Sequence, residues 1–372
     1  MVALFVACLP ASHIPTKEGC LPLSEPRIVR SKGRSARKAK KLRRQRIKRH
    51  IVRGLICAGT LAVLALFAAL GTIAVVIKGP SATASDILVI SALETSAMKF
   101  VPRLFLSAGQ IEAVRERNRI EQVDEDTDTQ LVHIGDGDEQ DEQPDIEVID
   151  IKGKTFVGKM MLIKDPSRVT VGTCGNFGSA GRTLAQIAKR YEAEGALNGG
   201  AFVDKNGQGS GGIPDGIVVS KGKLVWEKVT DTYEVTTVIG FDEDDKLVFT
   251  QKMNAEQAKK LKLRDAVSFG PPLVHNGEPV KIKGVSSGMN PRSAIGQRAD
   301  GTVLLLVVDG RKVNSMGATL ADLVDVFIEY GAVNAANLDG GSSSYLFYDG
   351  KYQNVGSSLT GPRGMATAFI VK

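Results

Sequence analysis

From Gly54 to Ile77 the chain runs for 24 residues without a charge. As a helix this run would rise about 36 Å, enough to cross a hydrocarbon core of about 30 Å. It predicts one membrane-spanning helix over 54–78. A buried soluble helix and a cleavable signal peptide are the rivals, but the run exceeds a typical signal h-region. Residues 81–120 are helix-compatible with weak apolar periodicity. Between Glu121 and Asp145 the apolar pattern lapses. From about Ile146 short β-rich runs alternate with turn signals. Val303 to Val308 is continuously apolar, reads as a buried strand, and ends in Asp309-Gly310-Arg311. Two amphipathic helices stand out. One covers roughly Thr183–Ala193, with Leu184, Ile187, Ala188 and Tyr191 on one face and Gly195 as its stop. The other covers roughly Thr319–Tyr330, with Leu320, Leu323, Val324, Phe327 and Ile328 as its stripe and Gly331 as its stop.

This pattern predicts an α+β fold, with curved, mostly antiparallel sheets packed around the two main helices. The segments after the two helices are alike. Gly195-Ala196-Leu197-Asn198-Gly199-Gly200 succeeds the first. Gly331-Ala332-Val333 leads through Asn337 to Gly340-Gly341 after the second. An internal pseudo-repeat of two half-units meeting at one site is one reading; coincidence is the other.

Charge sharpens the organisation. The formal net charge is +7, and it is unevenly spread. Residues 1–53 carry 15 Lys+Arg against 2 Asp+Glu, whereas residues 146–372 carry 27 against 24. The basic character belongs to the tail, where no aromatics interleave, so no nucleic-acid partner is expected. The positive-inside rule places that tail in the cytoplasm. Between Glu121 and Asp145 come 11 acidic residues and no Lys or Arg, which reads as a self-repelling spacer. The expected organisation is therefore a disordered tail (1–53), the span (54–78), a stalk and acidic linker (79–145), and one domain (146–372). Residues 1–12 have no assigned role.

Cysteine and histidine usage excludes several chemistries. Of Cys8, Cys20, Cys57 and Cys174, only the last lies in the domain, so no internal disulfide is expected there. Of four histidines, only His275 lies there, so a multi-histidine metal site is excluded; no metal or cofactor is expected. Three motif matches fail on context. Gly207-Gln-Gly209-Ser-Gly-Gly212 is followed by Ile213-Pro214-Asp215-Gly216, which cannot open a helix. Gly153-Lys154-Thr155 has Val148 where a Walker loop needs glycine. Gly284-Val-Ser286-Ser-Gly288 meets Pro291 almost at once.

The chemistry candidates are polar groups at strand ends. Asn337, Asp339, Gly340, Gly341, Ser342 and Ser343 group an amide, a carboxylate and hydroxyls around two glycines. Glycines there let backbone N–H groups approach an anion. Asn198 with Gly199 and Gly200 repeats the theme. Asp309 and Arg311 add a second carboxylate and a guanidinium. Arg292 and Arg363 stand beside prolines, and the arginine fork suits bidentate phosphate contact.

These residues fall into an ordered series of motifs. Asp165-Pro-Ser-Arg-Val169, Gly181-Arg-Thr-Leu184, Asn198-Gly-Gly-Ala-Phe202 and Gly212-Ile-Pro-Asp-Gly216 come first. Ser268-Phe-Gly-Pro-Pro-Leu273, Asn290-Pro-Arg-Ser-Ala-Ile-Gly296, Val308-Asp-Gly-Arg311, Ser315-Met-Gly-Ala-Thr-Leu320, Asn337-Leu-Asp-Gly-Gly-Ser-Ser343 and Arg363 come after them. In this order the region from about Thr155 onward resembles the phosphodiester glycosidase family. Ala201 and Ser342 stand where a bulkier residue and a third glycine are common. The N-terminal anchor and lack of a cysteine pair suggest a bacterial, cell-surface branch.

The resemblance implies hydrolysis of a sugar-1-phosphodiester, of the N-acetylglucosamine-1-phosphodiester kind. It implies catalysis by Asp339, with Asp309 as second choice and Arg292 as a phosphate partner. Substrate would be held by Asn198, Gly199, Gly200, Arg311, Asn337, Gly340, Gly341, Ser342, Ser343 and Arg363. The expected substrate is a phosphate-linked glycan or wall polymer, at the plasma membrane, with the domain outside and one transmembrane helix in lipid. The alternatives are a non-catalytic wall-polysaccharide binding module and an exopolysaccharide assembly factor.

Overall fold

Lysine, arginine, alanine and leucine are strong helix formers, and they dominate the chain before Gly79. In the computed structural model one helix, α1, accordingly runs from Lys32 to Lys78. The structure describes residues 32–95, 98–121, 123, 125–135, 144–204, 209–228, 237–250, 260, 262–358 and 360–372. Helix α1 starts inside the stretch expected to be disordered, because its basic half has the same helix propensity as its apolar half. Residues 1–31 of that tail lie outside the described residues, as do 136–143 of the acidic run and Gly207. The chain divides into two compact units, Met1–Ala69 and Leu70–Lys372. In the first, apolar side chains such as Leu61 and Phe67 point outward without protein cover. The stretch Arg37–Lys78 is long and apolar enough to cross a membrane, with a mean hydropathy of 2.6 in its most apolar window.

The second unit begins with two short helices, α2 (Ala82–Glu94) and α3 (Ala108–Arg117). Ser107 and Gln110 form a capping box that starts α3. Val89, Ile90 and Val114 pack with Ile77 in a small apolar cluster. Asp86, buried between the helices, accepts from Arg117 Nε at 2.7 Å and Asn118 Nδ2 at 2.8 Å. The helices seat on the loop 284–289: Val285 N donates to Asn118 Oδ1 at 2.8 Å, and Met289 N to Ser91 Oγ at 3.0 Å. The stalk and the first part of the linker therefore lie along the domain. His133 N donates to Ala299 O at 2.7 Å and Val132 is buried, so a few apolar residues hold this acidic run in place.

The domain strands are β1 (Ile146–Lys152), β2 (Val157–Ile163), β3 (Val169–Thr173), β4 (Gly195–Asn198), β5 (Gly216–Ser220), β6 (Lys223–Lys228), β7 (Thr237–Phe241) and β8 (Leu247–Thr250). They continue with β9 (Asp265–Phe269), β10 (Pro272–His275), β11 (Glu278–Pro279), β12 (Arg292–Arg298), β13 (Val303–Val308), β14 (Ala332–Leu338), β15 (Leu346–Tyr348), β16 (Lys351–Tyr352) and β17 (Thr367–Val371). Three sheets result, in the orders β1-β2-β13-β12-β14-β10-β11, β16-β15-β4-β17-β3 and β6-β5-β9-β7-β8. The pairings are antiparallel, for example Ile295 opposite Leu305 on one side and Ala336 on the other. The fold is α+β, with a long apolar N-terminal helix.

Alternation along the strands explains the layering, since successive residues face opposite sides. On β13, Val303, Leu305 and Val307 enter the core shared by the three sheets. Leu304, Leu306 and Val308 instead meet the helix α5 (Leu320–Glu329). On β17, Phe369 and Val371 face the shared core, while Ala368 and Ile370 meet α4 (Leu184–Tyr191). Each helix thus covers the outer face of its own sheet. Both open with a capping box, Thr183 with Gln186 and Thr319 with Asp322. Each is followed by a strand, β4 or β14, that carries its asparagine toward the same place.

Candidate active site

The strands after the two helices end against one another. Asp339 N donates to Gly199 O at 3.1 Å. Asn198 Nδ2 donates to Asp339 O at 2.5 Å, while Asn198 Oδ1 accepts from Ser293 Oγ at 2.6 Å and Tyr345 N at 3.2 Å. Glycine is required where these backbones close up. A Cβ on Gly199 would lie 2.8 Å from Thr367 Oγ1, one on Gly200 2.7 Å from Ser268 O, and one on Gly340 2.9 Å from Pro291 O. Asn337 Nδ2 donates to Gly270 O at 2.9 Å, and its Oδ1 has no hydrogen-bond partner among the described residues.

Asp339 sits where the strands converge. Its Oδ1 accepts from Gly340 N at 2.9 Å, and the Ser343 hydroxyl also donates to its carboxylate. Burial pushes its pKa up to about 6. The Ser343 bond, Arg363 and the Gly340 N–H oppose that rise, and the charge of Asp204 adds to it. A carboxylate poised near neutrality is suited to proton transfer or to facing a developing positive charge.

Two guanidinium groups flank the 339–343 loop. On one side Arg363 Nη1 pairs with Asp204 Oδ2 at 2.9 Å and contacts Ser342 Oγ at 3.3 Å; its Cζ lies 4.7 Å from the Phe202 ring centroid. On the other side the Arg311 fork comes within 3.6 Å of where a Gly341 Cβ would stand. Arg311 Nη2 donates to Thr95 Oγ1 at 2.9 Å and Asn290 Oδ1 at 3.2 Å. Its surface stays accessible, yet the surrounding protein holds its pKa below the ordinary value.

The remaining two candidates are tied up by their neighbours. Arg292 is buried, with Nη2 donating to Ser287 O and Gly288 O at 3.0 Å each and to Ser287 Oγ at 2.5 Å, and Nε to Ala318 O at 3.3 Å. Burial lowers its pKa to about 10, with the Glu94 carboxylate pulling the other way. Asp309 accepts from Lys312 Nζ at 2.9 Å on one oxygen and from Asn354 Nδ2 at 2.9 Å on the other. The structure thus gathers Asn198, Gly199, Asp339, Gly340, Gly341, Ser342, Ser343, Arg311 and Arg363, and gives Arg292 and Asp309 to their own loops. Among the described residues no group of three or more His, Cys, Asp or Glu is placed to hold a metal.

Phe202, which closes the Asn198-Gly-Gly-Ala-Phe202 motif, joins the site together with Asp204, which no motif marks. The glycines around the rejected dinucleotide motif also gain a role. Gly181, Gly211, Gly212 and Gly364 bring three backbone segments together beside Arg363. A Cβ on Gly212 would stand 1.9 Å from Ser179 O, and one on Gly211, at φ 74°, 2.0 Å from Gly364 O. Gly211→Ala is expected to cost about 2–4 kcal/mol through clash and left-handed strain. A urea titration checks it; an unchanged midpoint would contradict this packing.

The structure resembles the catalytic domain of zebrafish N-acetylglucosamine-1-phosphodiester alpha-N-acetylglucosaminidase, solved in a form auto-inhibited by its pro-peptide. The TM-score is 0.50 with 24% identity, covering 62% of this chain and 84% of that one. A hypothetical protein from Synechocystis aligns with a TM-score of 0.43 and 17% identity over 61% of each chain. The likeness to the zebrafish domain is one of fold. The sequence adds a family likeness: residues 191–372 match the phosphodiester glycosidase family. The SPbeta prophage-derived uncharacterized protein YomE of Bacillus subtilis (strain 168) is 31% identical over 189 residues, 49% of this chain. The chain spans only 28% of that relative's length.

Proposed function

We propose that this protein is a membrane-anchored hydrolase that cleaves a sugar-1-phosphodiester, with Asp339 as its central carboxylate. The observation that carries this reading is Asp339, with its pKa at about 6, set on a loop between Arg311 and Arg363. The reaction breaks the bond from the anomeric carbon to the phosphate oxygen. Water supplies OH to the sugar and a proton to the phosphate, leaving a phosphomonoester. Phosphate is already a good leaving group, so little general-acid help is needed. Arg363 and Arg311 offer fixed positive charge to the phosphate oxygens. Above pH 6 the ionised Asp339 can accept a proton from water or face an oxocarbenium-like carbon. Asn198 and Ser343 hold Asp339 in register.

A sugar-binding module without catalysis would offer free aromatic faces for stacking. At this site the Phe202 ring faces the Arg363 guanidinium, and Trp226 packs edge-on against Phe177 at 5.3 Å, which favours the enzyme. The positive-inside rule argues for a cytoplasmic basic tail and an outer domain, with phosphate-linked glycans and wall polymers as its proposed substrates. Two measurements test this. Full-length protein in detergent should release free N-acetylglucosamine from UDP-N-acetylglucosamine or sugar from a teichoic-acid-like polymer; no release from either would refute the hydrolase reading. In cells, alkaline carbonate should leave the chain in the membrane pellet, and a soluble, shortened product would identify a cleaved signal instead.

A further inference from the structure

We infer that Asp204 is a positioning residue of this site, holding Arg363 against the 339–343 loop and supplying a second negative charge beside Asp339. This rests on the hydrolase reading for its catalytic consequence, but not for its geometry. Asp204 lies six residues beyond Asn198, past Gly199-Gly200. Its two oxygens are divided: Oδ1 accepts from Gly209 N at 2.7 Å, and Oδ2 takes Arg363 Nη1 at 2.9 Å. The first bond fixes the carboxylate to the backbone, so the second fixes the arginine. The pair is mostly enclosed, with side chains 16% and 21% exposed. It is therefore less screened than a surface ion pair.

Arg363 is held on three sides: by Asp204, by Ser342 Oγ at 3.3 Å, and by the Phe202 ring beneath it. A guanidinium has five N–H donors, and these contacts leave it with capacity for an anion. The charges that bear on Asp339 are those of Arg363 and Asp204, beside the Ser343 hydroxyl and the Gly340 N–H. Removing the Asp204 charge takes away the like charge that raises Asp339, but it also frees Arg363, which holds that pKa down, so the direct effect is read where Arg363 is already absent.

The test uses the full-length protein in detergent with 13C-carboxyl aspartate. Asp339→Asn assigns the Asp339 resonance. In the wild type that resonance should titrate near pH 6. With Arg363→Ala as the background, Asp204→Asn should lower the midpoint, and Asp204→Glu, which keeps the charge, should leave it near that of Arg363→Ala. An unmoved midpoint for Asp204→Asn in that background overturns the inference. If Asp204→Asn does not fold, a shift in Asp204→Glu as large as that from wild type to ordinary aspartate would overturn it instead. The kcat/KM profile gives the second readout. In Asp204→Asn it should fall by about tenfold or more as Arg363 loses its anchor, and the same substitution should cost little once Arg363→Ala is present. A fall of the same size with Arg363 already removed would mark a merely structural residue and overturn it too. Absence of wild-type turnover would sink the hydrolase reading while leaving the titration decisive for Asp204.

Discussion

Asp339→Asn is expected to remove turnover of a sugar-1-phosphodiester while making the protein more stable near neutral pH. Loss of a carboxylate acting on proton or charge should lower kcat by about 10²–10⁴-fold. The stability gain follows from the raised pKa. Asp339 titrates at about 6 in the folded protein against an ordinary 3.8. The folded state therefore holds this proton more tightly than the unfolded state, and stability falls as pH rises from about 4 through about 6. At pH 7 the ionised carboxylate costs up to about 3 kcal/mol, reduced by its partial exposure to about 1–2 kcal/mol. Asparagine keeps an acceptor for Gly340 N and has no charge to bury. Thermal melts of both proteins at pH 7 and pH 4 check this. The variant should gain at pH 7 and lose its advantage at pH 4; a variant that is less stable at pH 7 would contradict it.

The second large effect is expected from Arg363→Ala. If Arg363 faces the phosphate as proposed, removing this fixed cation should lower kcat/KM by about 10²–10³-fold. It should also move the Asp339 limb upward in pH, because Arg363 is one of the groups that hold that pKa down. Arg363→Lys should recover only part of the loss, since an ammonium cannot reproduce the planar contact over Phe202 together with the Asp204 and Ser342 contacts. Full recovery by lysine would mean that point charge alone matters.

Much of the frame is legible in the order of residues. The spacing of Leu320, Leu323, Val324 and Phe327 shows α5, and Thr319 with Asp322 begins it. The unbroken apolar run of β13 announces a strand, but it names no partner. That β13 lies between β2 and β12 depends in part on pairings between residues more than a hundred positions apart. The packing of α4 and α5 on outer faces follows from that sheet order, so it is equally out of reach of local pattern. At the site, glycine pairs and strand-end asparagines point to Asn198 and Asp339 because such turns are costly unless something approaches closely. Asp204 reads as an ordinary turn residue until Arg363, 159 positions later, arrives beside it. Conversely, Arg292 reads as an available guanidinium, and only the fold shows its Nε and Nη2 engaged by the carbonyls of Ser287, Gly288 and Ala318.

The single amide of Asn198 joins β4 to Asp339, to Ser293 on β12 and to Tyr345 ahead of β15. It fastens the five-stranded sheet to the seven-stranded one at the very point where the reaction is placed. Such a fastening leaves little room for the centre to be altered by itself, because any residue that reshapes it also loosens the joint between the sheets. New substrates are more readily acquired at the periphery, on the segments around Phe202 and Arg363, than at the seam. The lineage can vary what it grips far more freely than how it cuts.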